Sequence, residues 1–235
     1  MKKMHLHLGD VISKKGFTLV EILVVIVIVA IVGTIMVVIF SNTLRGSNKS
    51  QILSIIKQNG QSVLENMDKT IRGADNLLCP TGTDPDVTIV TVKNGIYTRY
   101  RIVPASDTSA DDKVPKDCIE SEKSKNGCIV QDHPEKQIID EVTGELETDA
   151  VFIDSVCSSD DPMPRSGSDD AANILTDTNV QTGVLIGSGF FTVSKPFGFK
   201  AIVTINFVLK PGVSAPQVIA SQIDPQTYQT TIELR

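Results

Sequence analysis

Between Phe17 and Phe40 only one residue, Glu21, carries a charge. As a helix rising about 1.5 Å per residue, this run would reach roughly 36 Å, more than the ~30 Å hydrocarbon thickness of a bilayer. The segment is therefore long enough to span. A secretory signal peptide is the competing reading, but its apolar stretch usually covers only about 7–15 residues and ends at a small-residue cleavage site. Here the apolar stretch continues from Ile22 through Phe40 into Ser41-Asn42-Thr43-Leu44. Lys2, Lys3, Lys14 and Lys15 precede the span, so the positive-inside rule places the N-terminus in the cytoplasm and exports the rest of the chain.

Glu21 narrows the reading further. A carboxylate in an apolar helix costs about 2.5–3.5 kcal/mol on insertion scales and is retained as a rule only where something pairs with it. Cleavage between Gly16 and Phe17 would create an amino group four residues before Glu21. A close ion pair at an effective dielectric near 20 is worth about 4 kcal/mol, enough to offset the cost. The alternative is a glutamate snorkelling to the interface near the helix start, where the macrodipole favours an acid. Position alone leaves both open.

The run Lys14-Lys15-Gly16-Phe17-Thr18-Leu19-Val20-Glu21, followed at once by Ile22-Leu23-Val24-Val25-Ile26, resembles the processing and assembly signature of the type IV filament superfamily. That superfamily includes type IV pilins, competence pilins and type II secretion pseudopilins. The resemblance implies a prepilin peptidase that cuts after Gly16 and N-methylates Phe17. It also implies partner pilin or pseudopilin subunits in the membrane, with Glu21, in its Thr18-Leu19-Val20-Glu21 setting, as the assembly residue that compensates a neighbour's N-terminal charge. Major pilins of the family often carry a proline late in the apolar helix, whereas here the first proline is Pro80. Proline would remove a helix hydrogen bond and kink the segment; its absence favours a minor, tip-type subunit over an abundant shaft subunit.

Past the polar stretch Ser41–Asn48, the residues Ile52, Ile55, Ile56, Val63, Leu64, Met67, Ile71 and Leu77 recur at helical spacing. They predict an amphipathic helix within 41–78, packed on its own head and stopped by Cys79-Pro80. The chain then changes to strands. Asp86–Lys93 and Ile96–Val103 flank Asn94-Gly95, a strong two-residue hairpin signal. Phe190–Ser194 and Phe199–Leu209 predict a second pair across Lys195-Pro196-Phe197-Gly198, and Gln229–Leu234 a closing strand. Pro104–Asp149 and Ser158–Asp170, dense in charged residues, serine and proline, read as solvated insertions in a head covering 79–235. The expected class is α+β: a leader at 1–16, a membrane and assembly helix at 17–40, an amphipathic helix, and an antiparallel head. Ile174–Asp177, Val184–Phe191 and Gln229–Arg235 are similar to the C-terminal half of minor pilins and J-type pseudopilins, a looser likeness that implies a two-sheet, pilin-like head.

Composition removes several functions. Of 22 basic and 28 acidic side chains, four and one precede Phe17, so the rest carries a formal charge of −9. That argues against general nucleic-acid binding, which needs lysine and arginine in excess. His5, His7 and His133 are the only histidines, which disfavours histidine catalysis and multi-histidine metal sites. No Gly-x-Ser-x-Gly elbow, P-loop or dinucleotide-binding motif is present, so no enzyme activity is expected. Cys79, Cys118, Cys128 and Cys157 lie in the exported part, where disulfides are favoured over zinc because no Cys-x-x-Cys occurs. Of three connectivities, Cys118–Cys128 with Cys79–Cys157 is preferred, since the first pair closes a short loop within the insertion. No cofactor is expected. Calcium sites occur in relatives of the resembled family, but Asp107, Asp111, Asp112, Asp160, Asp161, Asp169 and Asp170 form no EF-hand loop and read instead as solubilising surface acids. Two roles compete: a structural filament subunit, in a pilus or a secretion pseudopilus, and a membrane-anchored binding protein that never enters a filament.

Overall fold

The computed structural model describes residues 16–106, 113–115, 118, 126–136, 148–163 and 171–234. The chain divides into two compact units, Met1–Gly46 and Ser47–Arg235. Helix α1 covers Leu19–Arg72. In the first unit it buries no side chain. In the second it buries Ile56, Gly60, Val63, Met67 and Ile71, a stripe at three- and four-residue spacing that turns one face to the core.

The helix stops at Arg72, short of the expected 78. Asn76–Cys79 is instead the first strand, β1, and Leu77 is buried as a strand residue. Gly73 is a poor helix former, and the chain beyond it gains partners in the next hairpin. Asp75 N–H donates to Val92 O at 2.8 Å, and Asp75 Oδ2 accepts from Asn94 N–H at 2.7 Å. The hairpin itself, β2 (Thr88–Lys93) and β3 (Ile96–Val103), runs in the expected register with Lys93 opposite Ile96. Asn94 and Gly95 both have positive φ, 50° and 79°, as a type I′ turn requires.

Part of the first region read as a solvated insertion, and the segment that follows it, contribute to the interior. Cys128–Asp132 forms β4 beside β3, with Cys128, Ile129, Val130 and Asp132 buried. Asp149–Cys157 forms helix α2, N-capped by Thr148 and burying Phe152 and Val156. With the short β5 (Asn173–Ile174), sheet one has the order β1-β2-β3-β4-β5, all antiparallel.

Alternation along β3 explains what holds the start of the second insertion, Ser158–Pro162. Tyr100 faces α1, its hydroxyl 2.8 Å from both Asn66 Oδ1 and Thr70 Oγ1, while Arg99 and Arg101 face the other way. Arg99 is fully buried and grips Asp132 through two bonds, Nε to Oδ1 at 2.9 Å and Nη2 to Oδ2 at 2.6 Å. Its Nη1 reaches Asp161 Oδ2 at 2.5 Å. Arg101 donates to the carbonyls of Asp161 and Ser158, each at 2.8 Å. The segment from Ser158 to Pro162 is thus wrapped round two guanidiniums and closes one side of the sheet. Burial and the neighbouring Arg99 pull the Arg101 pKa down to about 10, still far above neutrality. Burial pushes the Tyr100 phenol up to about 12, so it stays a neutral hydrogen-bonding group.

Sheet two holds β6 (Val184–Ser194), β7 (Ile202–Pro211) and β8 (Gln226–Glu233) in antiparallel order, with a short helix α3 (Gln217–Ala220) between the last two. Each strand begins away from its expected start. β6 and β8 start earlier, and β7 starts at Ile202 rather than Phe199, which leaves Phe199 in the connecting turn. Tyr228 stacks on Phe207 with ring centroids 5.4 Å apart and donates its hydroxyl to Ile56 O at 3.0 Å. Both sheets and the α1 stripe share one core, which includes Ile89, Ile102, Ile186, Phe191, Phe207 and Ile232. Disulfides join Cys79 to Cys157 and Cys118 to Cys128, the pairing preferred from loop length.

Two outcomes follow from this packing. A Cβ at Gly60 would fall inside the Tyr228 ring, so Gly60→Ala should destabilise the head by about 1–3 kcal/mol despite alanine's better helix propensity, read from chemical denaturation. Asp132→Ala should cost about 3–5 kcal/mol in the same assay, because it leaves buried Arg99 without its bidentate partner.

Candidate functional site

The residues singled out at the N-terminus lie at the start of α1, in the first unit. Gly16 and Phe17 precede the helix. A Cβ at Gly16 would meet nothing within 4 Å, so the fold of this chain does not itself require a glycine there. Thr18 is the helix cap. Its carbonyl accepts the first helical bond from Ile22 N–H at 3.2 Å, and its hydroxyl oxygen accepts from Glu21 N–H at 3.3 Å. Thr18 and Glu21 have the spacing of a capping box. Glu21 sits in the first turn, where the helix dipole favours an anion. Among the described residues no cation pairs with its carboxylate.

The apolar side chains that follow have no cover. From Phe17 to Phe40 every large one is at least 47% exposed, and Phe17 and Leu19 reach 75% and 82%. An apolar surface that continues all round a helix demands a non-aqueous environment, and this helix is long and apolar enough to cross a membrane. The polar side chains beyond Glu21 are compatible with lipid. Thr34 Oγ1 donates to Ile31 O at 2.8 Å and Thr43 Oγ1 to Ile39 O at 2.9 Å, so each hydroxyl is satisfied by its own helix. Glu21 remains as the single charge in the apolar surface, four residues from Phe17.

The family model for the prokaryotic N-terminal methylation motif matches residues 13–37. This match, together with the long apolar N-terminal helix, is consistent with a type IV pilin-like protein. The matched stretch takes in Gly16, Phe17, Thr18 and Glu21 and most of the apolar helix, and the helix followed by antiparallel sheets is a pilin-like α+β architecture. No curated protein and no solved structure matches the chain. The motif supports a type IV pilin or pseudopilin processed by prepilin peptidase, implies assembly with other pilin subunits in a membrane, and fits anchoring in the inner membrane. The motif suggests a structural role.

The remaining residues named from sequence fall elsewhere. His133 has Nδ1 3.2 Å from Thr98 Oγ1 and 3.1 Å from Tyr97 O. Asp160 and Asp161, grouped with surface acids, serve as counter-ions. Asp160 pairs with Lys113, which holds its carboxyl below the usual range, and Asp161 with Arg99. Among the described residues no group of three or more histidine, cysteine or acidic side chains could hold a metal. The leader lysines, His5, His7, Asp107, Asp111, Asp112, Asp169 and Asp170 lie outside the described residues. Sequence reading missed the Arg99–Asp132–Asp161 cluster. Its one signal was two arginines at alternate positions of a strand otherwise fit for burial.

Proposed function

We propose that this pilin-like protein is a minor subunit of a type IV filament, either a pilus or a secretion pseudopilus. In this reading the precursor inserts with its basic leader in the cytoplasm and its head outside, and prepilin peptidase cuts after Gly16 and methylates Phe17. The observation that carries the reading is Glu21, which has no cation among the described residues, in an uncovered apolar helix and four residues after the new terminus. The amino group of Phe17, on the same or a neighbouring subunit, supplies the missing cation. Bringing the two charges together as the helices pack removes the cost of holding a lone carboxylate against lipid. The glycine at position 16, which the fold does not need, is then explained by the peptidase that must accommodate it. A helix from Leu19 to Arg72 without proline supports the minor role, because the abundant subunits that this sequence resembles often carry a proline late in the segment.

Glu21→Ala tests the assembly step. The variant should insert and be exported normally, while its content in sheared filaments falls at least tenfold, since the lost pair is worth about 4 kcal/mol and 1.4 kcal/mol already amounts to tenfold. Unchanged filament content would exclude the reading and leave a membrane-anchored surface protein. The intact mass from native membranes reports processing separately. A chain beginning at N-methyl-Phe17 is expected, and a Gly16→Val precursor should keep its full mass.

A further inference from the structure

The turn between β6 and β7 carries the most exposed aromatic side chains among the described residues of the head. Phe197 is 103% exposed and Phe199 74%, and both lie between Lys195 and Lys200, which are also exposed. The turn is preorganised rather than slack. Phe199 N–H donates to Pro196 O at 3.0 Å, and Gly198 has φ 81°, the positive value that the third residue of a type II turn needs. Pro196 in the first position further restricts the chain. The other large apolar side chains exposed among the described residues of the second unit, Ile96, Val151, Val213 and Val218, stand singly and are aliphatic.

Two phenylalanines on a projecting turn have nothing to gain from water, and no cavity among the described residues receives them. Their chemistry fits one kind of surface well. Aromatic rings flanked by lysines are the pattern of an interfacial anchor, in which the rings enter the boundary between headgroups and acyl chains while the ammonium groups meet lipid phosphates. A protein partner would need a shaped pocket for each ring, whereas a bilayer accepts them without one. The charge distribution points the same way. The chain after Gly16 is formally −9, so two lysines at the tip, with Glu233 the acid closest in register opposite Ile202, form a cationic spot on an acidic body. The first segment of the chain is itself a membrane anchor, so phospholipid is present wherever the precursor is made.

We infer that the Lys195–Lys200 turn is a membrane-docking tip, inserting Phe197 and Phe199 into the interface of an anionic bilayer while Lys195 and Lys200 bind its phosphates. The inference stands apart from filament assembly, because it involves neither Glu21 nor the apolar helix.

The sequence contains no tryptophan, so Phe197→Trp installs a single fluorescent reporter at a fully exposed position where folding is not at stake. The full chain would be reconstituted in phosphatidylcholine bilayers with or without phosphatidylglycerol. Brominated acyl chains would be placed either in the host bilayer or in separately added vesicles, to show which membrane is engaged. With phosphatidylglycerol the emission should shift to the blue and be quenched in at least one placement. The lipid needed for half-quenching should rise about fivefold for each of Lys195→Gln and Lys200→Gln, and further with added salt. An Ile96→Trp chain, with its reporter at the exposed start of β3 beside the Asn94-Gly95 turn, should stay unshifted and unquenched. The inference is overturned if the Phe197→Trp reporter is unquenched in both placements, if quenching ignores phosphatidylglycerol and the lysines, or if the Ile96→Trp reporter is quenched equally. A blue shift that grows with protein concentration without bromolipid quenching would also overturn it, assigning the tip to a protein partner.

Discussion

The contact on which the head depends is the face of α1 formed by Ile56, Gly60, Val63, Met67 and Ile71. The core that the two sheets share is built on it. Each sheet brings one tyrosine to the helix, and each tyrosine secures its position with a polar bond as well as with its ring: Tyr100 to Asn66 and Thr70, Tyr228 to the carbonyl of Ile56. The rings give apolar area, and the hydroxyl bonds fix where along the helix each sheet sits. Gly60 lets Tyr228 approach because any Cβ would occupy the space of its ring. The same helix, in its first unit, carries the opposite arrangement: apolar side chains everywhere and nothing of the described chain to cover them.

On the far side of the first sheet, order rests on charge. Arg99 and Arg101 enter the interior with Asp132 and Asp161, so two cations face two anions, and the backbone carbonyls of Val156, Ser158, Asp161 and Pro162 and the Thr88 hydroxyl accept further guanidinium bonds. Buried ion pairs add little net stability beside hydrophobic replacements, yet losing one member is costly. Their effect here is positional. A segment with hardly any apolar residues is held against the sheet by bonds that only one geometry satisfies, and Cys157, at the end of α2, is brought to Cys79.

How much of this was legible in the sequence follows from which forces act locally. The first hairpin was readable because Asn94-Gly95 specifies a turn that needs positive φ at both positions and the flanks alternate cleanly. The apolar helix and the motif at its start were readable for the same kind of reason, since each is a contiguous run. The end of α1 was misplaced because Leu77 continues the helical spacing by coincidence; only pairing with β2, a contact distant in sequence, makes it a strand residue. β4 was missed because Cys128–Asp132 is five residues long and set among charges, and α2 because nine residues give too little periodicity. The residues that hold those segments, Arg99 and Arg101, are charged, and charge normally argues for solvent. For the N-terminal segment, composition singled out Glu21, and the resemblance to the filament signature singled out Gly16, Phe17 and Thr18; the structure added the role of Thr18 as a helix cap and, among the described residues, the lack of any cation for Glu21.

The disulfide between Cys79 and Cys157 also has a mechanical meaning. If a filament subunit is pulled from its two ends, the chain between those cysteines cannot lengthen, because tension crosses the sulfur bridge and bypasses the loop. With the bridged positions 78 apart in sequence and about 3.4 Å of reach per extended residue, roughly 260 Å of contour is kept out of the extension while the rest yields. The region held back contains the first hairpin, β4 and the Arg99–Asp132 pair. Under load, extension would therefore come from the chain after Cys157, β5 and the three strands of the second sheet, whose removal leaves the cross-linked half as a short, stiff knot on the helix.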